Sequence, residues 1–238
     1  MISKEERDNV PIDILTITKV IKESGYPVYQ SIVDFQRNYA GITYQLGDSI
    51  EGFSLVMIEA IDSQLKTEKY ELADEPFELN GEYYFTCAYY HYNQSYYMVM
   101  DSTGRVCSKD YGYGKPFPIA DSIEKFIEKD AVKNYFLEKQ SQWVLAAFKS
   151  EKLDNWLNDA SIGLEKITEA CDSYTTYWKS KGEDIFIEIQ SYEDGEDDNR
   201  LVYAVSLDVI SNLFHNDIEV AVGYPKYTIY KFTKGGNS

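Results

Sequence analysis

The sequence predicts an α+β fold: N-terminal helices packed on a mostly antiparallel sheet, followed by a C-terminal α+β extension. Three observations point there. Two stretches near the N-terminus repeat apolar residues every three or four positions; a tyrosine-rich middle reads as short strands between turn residues; alternating strands return after a central helix. With 238 residues, 44% hydrophobic and 26% charged, the chain has ordinary globular composition and material for a sizeable core.

Residues 11–24 set Ile14, Ile17 and Ile21 on one helical face, with Gly25 where a C-terminal cap belongs. A second helix follows Pro27, where Val28, Ile32, Phe35 and Tyr39 recur at the same spacing up to Gly41. From Ile42 the period changes. Apolar stretches at 42–44 and 53–58 flank Gly47, Asp48 and Gly52, which are turn residues between strands. Residues 59–80 are mixed and acidic, and read as loop with one helical turn near 63–66. Residues 81–101 carry the strongest strand pattern, EYYFTCAYYHY and YYMVMD around a polar NQS, with tyrosines at 83, 84, 89, 90, 92, 96 and 97. Asp101, Ser102, Thr103 and Gly104 form a turn, and 105–108 continues as a short strand, which completes an antiparallel meander.

Gly112 and Gly114 interrupt the pattern, and Pro116 and Pro118 keep the chain extended. Asp121 is placed to cap the next helix, with Glu124 as its capping-box partner and Ile123, Phe126, Ile127 and Ala131 as the apolar stripe. Helical composition continues through Tyr135, Phe136, Trp143, Val144, Ala147 and Phe148, and a shorter helix is expected over 153–159. Residues 164–177 read as strand. Ile185, Ile187 and Ile189, then Leu201, Tyr203, Val205 and Leu207, alternate as a pair of strands around the acidic loop EDGEDDN, and 218–222 and 227–232 close the chain as strands. No linker rich in Pro, Gly or Ser separates the halves, so the division expected is 1–140 and 141–238, with the two packed together.

Forty Asp and Glu against 23 Lys and Arg leave a net charge of −17. Phosphate backbones and anionic membrane surfaces are held by Lys and Arg, so this balance argues against nucleic acid and membrane as partners. No apolar run approaches the roughly 18 residues that span a bilayer. The start, MISKEERDN, is neither the apolar stretch of a secretory signal nor acid-poor like a transit peptide. Cys87, Cys107 and Cys171 are odd in number and widely spaced, which suits reduced thiols. A cytoplasmic protein is expected.

The motifs that carry chemistry are weak here. DSTG at 101–104 has one residue more than the aspartic-protease signature and no second copy, and that chemistry needs two carboxylates; a hairpin turn fits better. YGYGKP at 111–116 lacks the glycine spacing and the Ser or Thr of a phosphate loop. His91 and His215 have no ligand-type neighbour at metal spacing, and EDGEDDN does not match a calcium loop. The expectation is no cofactor, no metal and no catalysis.

The stretch 96–130, YYMVMDSTGRVCSKDYGYGKPFPIADSIEKFIEKD, resembles the SUKH superfamily of bacterial immunity proteins, which neutralise secreted nuclease and related toxins. The matching features are an aromatic strand ending in Asp101, the turn glycine Gly104, the short strand at Val106, and the phrase Ile119, Ala120, Asp121, Ser122, Ile123 with Phe126. Residues 28–42 resemble the family's second helix and its terminal glycine pair, with Ala40 in place of the first glycine. The resemblance covers about the first 140 residues and implies a toxin-binding protein.

Two surfaces are candidates for that contact. Tyr89, Tyr90, Tyr92, Tyr96 and Tyr97 either stack across strands or anchor an interface. Glu193, Asp194, Glu196, Asp197 and Asp198 either form a solvated hairpin tip or steer a basic partner into place. The function expected is occlusion of a basic toxin's active site. The alternatives are a regulatory or scaffold module of the same fold, and an enzyme whose site is built from distant acids and tyrosines.

Overall fold

A computed structural model of the chain describes residues 2–7, 12–46, 52–61, 69–90, 96–110, 114–139, 143–148, 157–159, 162–191, 199–214, 220–224 and 229–231. The fold is α+β, in two compact units, Met1–Ile127 and Glu128–Ser238.

The first unit opens with β1 (Ile2–Arg7), α1 (Ile14–Glu23) and α2 (Gln30–Asn38). Asp13 caps α1 by accepting hydrogen bonds from the Leu15 and Thr16 amides at 2.9 and 3.1 Å. The helix ends at Gly25, whose φ of +88° favours glycine; its amide and that of Tyr26 donate to Lys22 and Ile21, a Schellman closure. Ile17, Val20 and Ile21 face the core, as do Ile32, Val33 and Phe35 of α2. The helices cover a sheet built from β2 (Ile42–Leu46), β3 (Gly52–Leu55), β7 (Glu82–Tyr90), β8 (Tyr96–Met100), β9 (Val106–Asp110) and β10 (Phe117–Ala120), in the order β1-β2-β3-β7-β8-β9-β10. All the pairings are antiparallel.

Several expectations need correction here. The apolar run 53–58 is not one strand. Val56 turns aside to donate to the Cys87 carbonyl, and β4 (Ile58–Ile61) leaves to pair with β5 (Lys69–Leu72) as a separate ribbon. The buried Gln36 amide fixes that departure: it donates to the Ile58 carbonyl and accepts from the Ile58 amide, at 3.1 and 2.9 Å. The described residues within 59–80 are therefore not all loop, since they hold most of β4, β5 and also β6 (Phe77–Leu79), which pairs with β7. In β5, exposed Lys69 and Glu71 alternate with half-buried Tyr70 and Leu72, a strand pattern that the acidic composition hides. The helical turn expected at 63–66 lies outside the described residues. Pro118, expected in merely extended chain, sits in edge strand β10, where a missing amide costs no pairing.

The division between the units falls within α3 (Ile123–Lys139). Ser122, rather than Asp121, caps this helix: its Oγ accepts from the Lys125 amide at 3.3 Å.

The second unit centres on a seven-stranded antiparallel sheet. Its strands are β11 (Trp143–Phe148), β12 (Leu164–Lys166), β13 (Thr175–Ser180), β14 (Ile185–Gln190), β15 (Asn199–Ala204), β16 (Val220–Tyr224) and β17 (Ile229–Lys231), ordered β12-β13-β14-β15-β11-β16-β17. Trp143 to Phe148, expected as helix, is an interior strand paired with β15 and β16. Short apolar runs suit either state, and partners on both sides decide the outcome. The strand expected over 164–177 is broken by a 3-10 turn (Thr168–Ala170) and by Asp172, whose carboxylate accepts from the Tyr174 and Thr175 amides. Leu207 begins a helix, α4 (Leu207–Phe214), rather than ending a strand. Of the helix expected over 153–159, only 157–159 are described.

Phe186 and Ile187 are both fully buried because each face of β14 is covered. Ile185, Ile187 and Ile189 pack with Ile210 of α4; Phe186 packs with Phe136 of α3, Trp143, Tyr177 and Tyr203. Among the described residues, no helix is long and apolar enough to cross a membrane.

Candidate functional site

A β-bulge decides where the tyrosines of the first unit point. The pairing of β7 with β8 slips between Thr86 and Ala88, so Phe85, Cys87 and Ala88 all enter the core. The phase beyond the bulge is reversed, and Tyr89 pairs directly with Tyr97 on the opposite face, next to Ser54 of β3. The strict alternation expected along this strand is thereby corrected. Tyr89 and Tyr97 are half-buried. Tyr90 and Tyr96 occupy register positions opposite Phe53 and Asp110. Tyr92 and the acidic residues Glu193, Asp194, Glu196, Asp197 and Asp198 lie outside the described residues.

Several tyrosines of the first unit engage carboxylates through their hydroxyls. Tyr26 donates to Glu75 at 3.1 Å and Tyr84 to Glu82 at 3.2 Å, while Tyr39 donates to Glu124 and Tyr89 to Asp74. Tyr83 is hydrogen-bonded to Glu78. A phenol holds a carboxylate in one orientation without cancelling its charge, which a lysine or arginine would do. The ionisation follows. Burial and then the Glu82 charge push the Tyr84 phenol up to about 12; burial and Glu75 raise Tyr26; the Glu78 hydrogen bond raises Tyr83. Burial alone would raise the Glu124 carboxyl, but the hydrogen bonds from Tyr39 and Ser122 outweigh it and hold it below its ordinary value.

Three elements meet at a groove of about 180 Å³: α2, the turn between β8 and β9, and the start of α3. Asp34, Asp121 and Glu124 line it together with Phe35, Met100 and Ile123, and no lysine or arginine is among its described lining residues. The turn is rigid. Asp101, fully buried, accepts from the Thr103 and Arg105 amides, the Thr103 hydroxyl and the Arg105 Nε, the last two at 2.6 Å. Ser31 of α2 donates to the Ser102 carbonyl at 3.0 Å, and Gly104, at φ +95°, leaves only 3.2 Å between a would-be Cβ and Ser31. Asp101 of DSTG is thus fully engaged in holding a hairpin turn. Thr103 and Gly104 of that turn build one wall of the groove, and Asp121 to Glu124 build another.

Sequence reasoning missed this groove, because Asp34 is far in sequence from Asp121 and Glu124. It also missed a buried ionic cluster in the second unit. Lys129 Nζ lies 2.5 Å from Asp172, and Lys133 Nζ 3.0 Å from Glu188, which also accepts from the Tyr177 hydroxyl and the Gln190 amide at 3.2 and 3.1 Å. A signal existed: Lys129, Val132, Lys133 and Phe136 follow helical spacing, so two lysines share a stripe with core residues.

Among the described residues, no group of three or more His, Cys, Asp or Glu side chains is arranged to hold a metal ion. No family model, no curated protein and no solved structure matches the chain.

Proposed function

We propose that the protein is an immunity protein that binds and neutralises a cognate toxin, a basic nuclease or related nucleic-acid-acting enzyme, by occluding its active site. The observation that carries this reading is the arrangement of the acids in the first unit, where tyrosine hydroxyls hydrogen-bond five carboxylates without bringing a positive charge of their own. A nuclease has to present positive charge where phosphates bind. An inhibitor with oriented carboxylates meets that surface with little ordering left to do, and its negative field speeds the encounter. The half-buried pair Tyr89 and Tyr97 supplies aromatic area of the kind that anchors interfaces. The resemblance to SUKH proteins supplies the word immunity, and the reading places the chain in the cytoplasm, where its cysteines stay reduced.

The test is co-expression in bacteria with basic nuclease or deaminase toxin domains encoded in the same genome. Rescued growth and a stable complex, weakened by salt, are expected; failure to bind any such domain overturns the reading. Two charge-reversal sets then locate the contact. Lysine at Asp34, Asp121 and Glu124 tests the groove, and lysine at Glu193, Asp194, Glu196, Asp197 and Asp198 tests the acidic loop. The set that faces the toxin slows association by about tenfold or more.

A further inference from the structure

We propose that two lysine–carboxylate pairs of the second unit, Lys129 with Asp172 and Lys133 with Glu188, fix the register of α3 on its sheet, and that they do so at a cost in stability. The stripe that α3 turns toward the sheet contains Lys129, Val132, Lys133 and Phe136. Val132 and Phe136 bind by size and shape: Phe136 stacks on Phe186 at 4.5 Å, and Phe186 stacks on Tyr177 at 5.5 Å. Apolar contacts of this kind tolerate repacking, so they fix the helix position loosely.

The lysines are less tolerant. Lys129 and Asp172 keep 8% and 1% of their side-chain surface exposed and Glu188 keeps 2%, whereas Lys133 reaches its buried partner from a site that is 33% exposed. Sliding the helix by one residue turns its stripe by about 100° and moves it about 1.5 Å, which would leave the buried Lys129 and two buried carboxylates, Asp172 and Glu188, unpaired. Two lysines one turn apart, each facing its own carboxylate, therefore specify rotation and translation together. The carboxylates are themselves held. Asp172 takes the Tyr174 and Thr175 amides at 3.0 and 2.9 Å, and Glu188 takes Tyr177 and Gln190. Burial by itself would lower the Lys133 amine; the Glu188 charge outweighs it and raises the amine, as expected of a committed ion pair.

Such pairs give back little of what their dehydration costs, and apolar replacements of similar size are often as stable or more so. That makes a separation of stability from register measurable in the full chain. Lys133→Met lowers the melting temperature of the second unit by about 10 °C, because Glu188 is left buried and unpaired, and Glu188→Leu lowers it by less, because the one-third exposed Lys133 can turn its amine to water. The triple variant Lys133→Met, Glu188→Leu, Tyr177→Phe melts within about 3 °C of the parent or above it. In that variant the NMR signals of the Phe136 ring multiply or broaden, the contact to Phe186 weakens, and the α3 amides lose about tenfold in exchange protection. One sharp Phe136 signal with an undiminished contact to Phe186 in the triple variant overturns the proposal. If the triple variant does not fold, Lys129→Met with Asp172→Asn, which keeps an acceptor for the turn, is read by the same two outcomes. Failure of both to fold also overturns the proposal, since it requires apolar replacement to be tolerated.

Discussion

In the first unit a carboxylate typically meets a tyrosine hydroxyl near the surface, as in Tyr26 with Glu75 or Tyr84 with Glu82, whereas in the second the best-buried carboxylates meet lysines beneath a helix. The residue type is the same and the physical use is opposite. A phenol leaves the charge in place and available to a partner. A buried lysine cancels the charge and spends it on position. The contrast teaches that net charge does not say where charge is usable: the first unit displays it, and the second consumes part of it internally.

The tryptophans make the contrast accessible, because Trp143, Trp156 and Trp178 all fall in Glu128–Ser238, so indole fluorescence follows the second unit alone. The largest effect is expected from Asp172→Ala, which strands Lys129 and frees two amides. It costs about 3–5 kcal/mol in the tryptophan-detected urea transition. A loss below about 1 kcal/mol would mean the second unit treats its acids like the first, and the contrast would collapse. Asp101→Ala is the counterpart in the first unit, where one deeply buried carboxylate does pair with a cation, Arg105. It removes the acceptor for several bonds and costs about 3 kcal/mol, read from hydrogen exchange of the β8 and β9 amides, with the tryptophan signal unmoved.

Alkaline pH sharpens the comparison further. The folded-state values of Lys133 and Tyr177 lie above their ordinary ones of 10.5 and 10.0, and Tyr84 rises from 10.0 to about 12. The folded protein therefore holds these protons more tightly than the unfolded chain. Their contribution is complete below pH about 10 and is lost as pH rises through the folded-state values. Both units should weaken above that pH, and tyrosine absorbance at 295 nm should show a late-titrating fraction. Normal titration of all the tyrosines would contradict the burial of Tyr177. Gly104→Ala, strained at φ +95° and crowded against Ser31, costs about 1–2 kcal/mol in the first unit, checked by the same hydrogen exchange. The smallest effect belongs to Tyr84→Phe, about 0.5–1 kcal/mol in stability. If charge display is the role of these phenols, a substitution of this kind changes toxin association more than folding, and a stopped-flow on-rate decides between the two.

Much of the fold was legible because it rests on local rules. The apolar spacing of Ile17 and Ile21, the closure at Gly25, and the DSTG turn with Gly104 all depend on neighbours within a few residues, although Ile14, expected on the same stripe, is exposed and Val20 takes the buried place. Where the outcome depended on distant partners, local patterns misled. Trp143 to Phe148 became a strand because β15 and β16 flank it, and Phe53 to Ile58 broke in two because Gln36 captures Ile58 from a helix. The bulge at Cys87 could not be read from alternation, since a single inserted residue reverses every side chain beyond it.

By itself the sequence determined the α+β class, the charge of −17, the N-terminal helices, the tyrosine meander and the weakness of every catalytic motif. Only the tertiary structure decided that the phenols hold carboxylates, that Asp34 joins Asp121 and Glu124 around one groove, and that Lys129 and Lys133 pair with buried acids in other elements. The reason is range. Helix periodicity and turn chemistry act over a few residues, and a composition can be counted. The partner of a charge or a hydroxyl is chosen by packing across the whole unit, which no local window contains.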